Sequence, residues 1–526
     1  MYTRKQQESK REARLFMSSW EKVGSMLLDG KSPEQVKTQI AGSFDNYQIY
    51  SDSIIQSNGC SFFLALVQGV KRLVICGDGA PFQEFKGYEQ DLSNGKAKVC
   101  ELSNENCTLI RKLFLFTNPS NHHGRDITVG FGDRLGLASA GHIRTIKGKK
   151  VFPVLAQQSI RELNLTGRTY VDVLAAASWA VFQEGYTLGF GADGDHLKTA
   201  AEVKMAIDCG FTMITLDCSE HIDNSIPGID AGEVDRLYAA LGTEDRQRLE
   251  ARYLDKEVAL DTSHSIHFLS EEFKRTVLIY FKAISYTIGI YNNVIKDCGR
   301  SIDFEMSIDE TLTSTTPQSH YFVASELLNA GVRITSLAPR FCGEFQKGID
   351  YIGDIGLFTQ EFEVHTIIAE KLGYKLSIHS GSDKFSVFPV IGDGTKGKYH
   401  LKTAGTNWLE AVRVIAVEDP ALYRKMHAFA VEHLSEAKKY YHIGARLENI
   451  PALEELSDKD LPGLMDINDA RQVLHITYGL ILLAKNADGT STFRDDIYSL
   501  LNRNEAKYYR ALQKHLGRHL SELGMQ

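Results

Sequence analysis

Between residues 127 and 405 the sequence repeats one pattern eight times. A short apolar run ends in a polar turn, and a stretch with helical spacing follows. The runs fall at 127–132, 151–156, 187–192, 213–217, 303–307, 334–338, 375–379 and 400–403. Eight consecutive β-α units predict a TIM (β/α)8 barrel, because parallel strands need helical crossovers and eight such units close on themselves. One interval, 218–300, is too long for a simple crossover. Helical spacing at 232–241 and 271–292 makes it a helical insertion before the fifth strand.

In such barrels the chemistry sits on the loops at the strand C-terminal ends. The unusual residues of this chain fall at those ends: Asp133-Arg134, Gln157-Gln158, Asp195-His196, Asp217 with Glu220-His221, Glu305, Arg340 with Glu344-Phe345-Gln346, His379, and Lys402. A purely structural sheet has no need of charge gathered at one end of its strands. The densest stretch is Gly189-Phe190-Gly191-Ala192-Asp193-Gly194-Asp195-His196-Leu197-Lys198. Its glycines allow sharp turning or close approach to a ligand, and Asp195-His196 offers a general base beside a metal-binding imidazole. The competing reading is a polar turn in which Asp195 caps the next helix.

The second such loop is His379-Ser380-Gly381-Ser382-Asp383-Lys384. His379 can be a metal ligand or a histidine satisfied within a turn, and its pairing with His196 at another strand end favours the metal. Two imidazoles need oxygen ligands as well, from Glu344, Gln346, Glu305, substrate or water. Glu305 alternates with Phe304 and Met306, which turns it towards the barrel axis. Burial there should raise its pKa and suit it as an acid partner to a base at Asp195, unless it forms an ion pair with Lys402 or Arg340. Asp217, Glu220 and His221 form a local cluster in which helix capping competes, and His122-His123 read as a surface pair.

Around this core, residues 1–125 form a strand-rich extension, with a polar helix and a second helix over the first 40 or so residues. Strand-like runs follow at 47–50, 61–67, 72–76 and 109–116. The barrel domain spans 126–406 with its insertion at 218–300. Residues 407–526 form a helical C-terminal extension, with helical spacing at 408–417, 420–437, 466–485 and 505–523. The net charge of −8 and the lack of a basic stripe argue against nucleic acid as a partner. The most apolar run, 473–484, is too short to span a bilayer and contains His475. The N-terminus lacks the apolar region of a signal peptide, and eight scattered cysteines read as reduced thiols of a cytoplasmic protein.

The Asp195-His196 pair and the His379-Ser380-Gly381-Ser382 loop resemble those of class II aldolases, which are metal-dependent barrels. The runs Gly130-Phe131-Gly132-Asp133-Arg134-Leu135-Gly136, Phe190 to Lys198 and Ile378 to Ser386 resemble the tagaturonate epimerase family more closely. That resemblance implies a C4 epimerase interconverting D-tagaturonate and D-fructuronate in hexuronate catabolism. It also implies a divalent cation (zinc, manganese, nickel or cobalt) and a small-molecule hexuronate or ketose substrate, with no nucleic acid or membrane partner and with homo-oligomerisation open. By the same resemblance Asp195 is the proton acceptor, Glu305 the donor, and His196 and His379 metal ligands, with Gln346 or Glu344 in the third place. The aldolases' middle ligand histidine has no counterpart near Gly343. The substrate carboxylate needs a cation, for which Lys198, Arg340, Lys384 and Lys402 are expected. The rival classes are a metal-dependent ketose aldolase and a non-catalytic barrel subunit of another enzyme.

The C4 hydrogen of a 2-ketose is not α to the carbonyl, so removing it gives no enolate. Inversion therefore goes either by retro-aldol cleavage of C3–C4 and re-addition to the other aldehyde face, or by proton removal and return at C4 from two opposed acid–base groups.

Overall fold

The computed structural model describes residues 18–41, 49–122 and 124–525. The first part of the expected N-terminal helix, Tyr47 and His123 lie outside them. Helices Ser19–Leu28 and Pro33–Ile40 lie against a five-stranded antiparallel sheet. Its strands are β1 (Ile49–Ser57), β2 (Cys60–Val67), β3 (Val70–Gly77), β4 (Gly87–Leu92) and β5 (Gly95–Cys100), in the order β1-β2-β3-β5-β4. The run at 109–116 is not a strand. Ser103 accepts the Asn106 amide, Glu105 sits in the first turn and Arg111 and Lys112 in the last, so Asn104–Leu113 is a capped helix with charges matched to its dipole. That helix and Tyr170–Gln183 share an apolar core with one face of the sheet, through Phe62, Ile110, Phe114, Trp179 and Phe182.

The barrel closes as expected. Strands β6 (Ile127–Phe131), β7 (Phe152–Ser159), β8 (Gly191–Leu197) and β9 (Met213–Asp217) precede an insertion, which carries the small hairpin β10 (Glu257–Ala259) and β11 (Ser265–His267) and the long helix Ser270–Ile290. Then β12 (Asp303–Ile308), β13 (Ser336–Pro339), β14 (Lys375–Ile378) and β15 (Tyr399–Thr403) complete a ring of parallel pairs, with β15 on β6 and β9 on β12. The third strand lies later than its apolar run predicted: residues 187–190 lead in, and the polar Asp193-Gly194-Asp195-His196 is the strand itself. Helix Thr406–Glu418 follows the eighth strand. The C-terminal helices Pro420–Glu432, Asn468–Ile476, Tyr478–Leu483, Arg494–Arg503 and Glu505–Glu522 share one continuous apolar core with the barrel. No helix among the described residues is long and apolar enough to cross a membrane, and all eight cysteines are free.

His122, expected at the surface, is buried. Its backbone N–H donates to Asp303 Oδ2 at 2.6 Å and its ring stacks 6.2 Å from that of His400, at the end of the barrel opposite the polar mouth. The two-histidine run looked polar, but one of its members caps the barrel floor.

Candidate active site

Neighbouring residues of a strand ordinarily face opposite ways. Asp195 and His196 escape this rule because His196 has φ +51°, and the register of β8 against β9 breaks between Gly194 and Leu197. Both side chains then reach the cavity at the barrel mouth, and Asp195 Oδ1 holds His196 Nδ1 at 2.8 Å. A non-glycine residue in this left-handed region costs free energy and is kept only where the surroundings over-determine it. Across the barrel His379 follows β14, and Ser380 and Asp383 beyond it are also left-handed, at +49° and +63°.

His379 repeats the arrangement of His196. Its Nε2 lies 2.7 Å from Glu305 Oε1, as His196 Nδ1 lies against Asp195. The other nitrogen of each ring faces Asp309, the first residue after β12: His379 Nδ1 is 3.2 Å and His196 Nε2 3.9 Å from Asp309 Oδ1. These three donor atoms lie within 4.8 Å of one another, and apart from Asp309 the buried His379 Nδ1 has no hydrogen-bond partner among the described residues. Two imidazoles, each fixed by a carboxylate on its far nitrogen, with a third oxygen beside them, make a donor set that fits a divalent cation.

Under the triad lies Lys402. Its Nζ is 2.8 Å from Asp195 Oδ1, 2.9 Å from Asp193 Oδ2 and 3.1 Å from Glu305 Oε1, and it also bonds Thr215 Oγ1. Burial would lift all these carboxyls. For Asp195 the Lys402 charge and then His196 outweigh it, and for Glu305 Lys402 and then His379 do, so both are held well below the usual carboxylate range. The raised pKa expected of Glu305 is therefore reversed by Lys402. Burial wins at Asp193, which is pushed up to about 6. Burial disfavours charge on His196 as well, but Asp195 and Asp309 lift its pKa well above the ordinary value. The pocket between the rings thus attracts positive charge.

The other expected residues are spread more widely. Gln346 turns Oε1 to Gly444 N and Gln472 Nε2, both at 2.8 Å, and its amide nitrogen donates to Glu344. Both lone pairs of that oxygen are engaged in these hydrogen bonds, and Asp309 offers a further oxygen beside the two imidazoles. Asp309 was passed over because the strand run was closed at Ser307; as the first acidic residue past a strand end it meets the same criterion as His379. Lys384 is fully buried and donates to three backbone carbonyls, of Gln346, Ile349 and Ser382, at 2.6–3.0 Å. Through these bonds it holds the loop. Lys198 pairs with Glu220 at 3.0 Å and lies 3.7 Å from Asp217. Arg340 lines a neighbouring cleft together with Gln346, His379 and Asp309. Asp217 accepts the Ser219 N–H as a turn cap, and His221 stacks on Tyr286 at 3.9 Å.

The cavity is lined by the two ligand-type histidines, Asp195 and Lys402 together with Arg161, Lys347, Glu310 and Tyr441. Gly405 lines the cavity and Gly381 lies between the lining residues Ser380 and Ser382: a Cβ on the first would overlap the ring of His475, and on the second Leu401.

A closed eight-stranded parallel barrel with carboxylates, imidazoles and a buried lysine converging at the C-terminal mouth defines a TIM-barrel enzyme. The family model described as tagaturonate epimerase matches residues 50–523. The chain belongs to the tagaturonate epimerase family, and it is an enzyme of the isomerase class. It is 40% identical over 479 residues to the tagaturonate/fructuronate epimerase of Thermotoga maritima, covering 91% of this chain and 97% of that one. It also matches crystal structures of the fructuronate-tagaturonate epimerase of Cohnella laeviribosi, native and with glycerol, at 50% identity and TM-score 0.89. The matches cover 94% of this chain and 99% of the other.

Proposed function

We propose that the protein interconverts D-tagaturonate and D-fructuronate by inverting C4, as a step in hexuronate breakdown. The observation that carries this reading is the Asp195–His196–Asp309–His379 cluster at the mouth of a barrel whose relatives, at 40% and 50% identity, bear that activity in their names. His196, His379 and Asp309 would hold a divalent cation, with Gln346 and Glu344 in the adjoining cleft. Such a cation would act as a Lewis acid on the ketose carbonyl and its neighbouring hydroxyl.

Asp195 is the acid–base group at the substrate. Its Oδ1 is tied to His196 and Lys402, while its Oδ2 carries no hydrogen bond among the described residues and the side chain lines the cavity. Glu305 is the second acid–base group, linked to Asp195 through Lys402. It is fully buried, with Oε1 on His379, Lys402 and Thr215 and Oε2 on Ser336, so it reaches substrate only by giving up those partners.

One open carboxylate suits retro-aldol inversion better than proton exchange between two faces of C4. Asp195 takes the C4 hydroxyl proton and the C3–C4 bond breaks. Its electron pair passes to the C2 carbonyl, and C4 becomes the aldehyde of a three-carbon acid. That aldehyde turns, the C3–C4 bond reforms on its other face, and Asp195 returns the proton to oxygen. Turnover of D-tagaturonate in deuterium oxide tests the route. Product without deuterium on C4 is expected, and deuterium at C4 would replace this route by proton removal and return.

A further inference from the structure

Of the cations around the cavity, two form no ion pair among the described residues, with Glu162 and Glu310 acting on Arg161 and Glu162 and Asp309 on Lys347 only at longer range. Arg134 is neutralised by Glu162 at 3.0 Å and lies 3.8 Å over the Tyr478 ring. Lys402 is surrounded by three carboxylates. Arg161 and Lys347 line the same cavity and form no ion pair among the described residues. Arg161 lies 4.7 Å from the Tyr441 ring centroid, reaches only the Tyr440 carbonyl at 3.5 Å, and leaves its buried Nε without a partner. Lys347 Nζ makes one bond, 2.7 Å to Ser380 Oγ, one residue from His379.

The placement is costly in three ways. Arg161 sits in the first turn of helix Ile160–Thr166, where the helix dipole disfavours a cation. Burial, and next the like charge of Arg161, depress the pKa of Lys347. An arginine with an unmade buried hydrogen bond forfeits stability. A carboxylate between the two would relieve all three, by pairing both charges and accepting from the free Nε.

We propose that Arg161 and Lys347 form the clamp for the substrate carboxylate in the cavity that His196 and His379 also line. This takes the place of the expected Lys198, Arg340, Lys384 and Lys402, and it rests on the hexuronate reading above. In the retro-aldol route the carboxylate belongs to the aldehyde fragment, the piece that must turn without escaping. A clamp at its far end holds that fragment as a pivot while C4 presents its other face.

Titration calorimetry with D-tagaturonate reads the apparent affinity of the clamp for the equilibrating substrate pair. Arg161→Gln and Lys347→Met should each raise Kd about 10- to 100-fold, the range for a lost charged hydrogen bond. In turnover the loss should fall on KM more than on kcat, and Lys347→Arg should recover most of it. If the wild type epimerises D-tagaturonate and both variants bind it as tightly as the wild type, the clamp is wrong and the function stands. If the wild type binds D-tagaturonate, the variants lose it, and no epimerisation occurs, the function is wrong and the clamp stands. A wild type that does not bind D-tagaturonate overturns both. Thermal melts of each variant exclude unfolding as the cause of lost binding.

Discussion

Asp195 is held by opposing demands. Lys402 and His196 keep it ionised and fix one oxygen, and the other faces the cavity. A group so placed can take a proton from a hydroxyl and return it, at a contribution of ~10²–10⁴ in rate typical of a positioned general base. Asp195→Asn should therefore lower kcat by that range while leaving the fold intact, as circular dichroism and steady-state assays will check. A smaller fall, under tenfold, would leave Asp195 only as the orienter of His196. The strained backbone of His196 belongs with this, since the left-handed turn is what brings two successive side chains to one cavity.

At the scale of elements, the site stands on strand ends braced by loops, and Lys384 shows how. Its ammonium joins the loop after β14 to carbonyls of the segment after β13. Lys384→Met would strand three carbonyls, at ~1–3 kcal/mol for each that finds no new partner. We expect a clear drop in thermal midpoint with loss of the histidine loop's order, in place of a selective rise in KM; a stable variant with only a raised KM would return Lys384 to the substrate. Much of this architecture was legible in the sequence. Seven of the eight barrel strands were marked by apolar runs with polar ends, and His196 and His379 by their position near those ends. What escaped depended on geometry. The true third strand is polar because Asp193 and Asp195 are paired inside by Lys402, which no apolar pattern reports. Lys384 and Arg161 are both basic residues near strand ends, and only their partners tell brace from clamp. The run 109–116 has the apolar content of a strand, and the helix that Ser103 caps from its N-terminal side takes in its first half.

For the whole molecule, the single apolar core joining barrel and C-terminal helices carries buried histidines whose protonation is opposed by burial. His142, His365, His427 and His519 are lowered to about 4, and His400 to about 3. The unfolded chain protonates its histidines near 6.5, so between about 6.5 and 4 it binds more protons than the native state. The stability these groups provide is full above pH 6.5 and lost as pH falls towards 4. The low-lying carboxyls of Asp195, Glu305, Asp309 and Asp383 add a loss of the same sign at still lower pH, while His196 and His379, raised in the fold, act against it. Thermal midpoints should decline through this window, and His142→Phe should flatten the slope by the equivalent of about 3 kcal/mol, 1.36 per pKa unit. An unchanged slope would mean that His142 titrates normally in the fold. The proposed function requires the barrel mouth to be a cation-dependent epimerase site. Its most direct test is metal content together with D-tagaturonate turnover, measured on the wild type and on His379→Ala. A metal-bearing, active wild type and a folded variant that has lost both metal and C4 inversion are expected. A variant that keeps its metal and its activity would contradict the site, and a wild type that leaves D-tagaturonate unchanged would contradict the function.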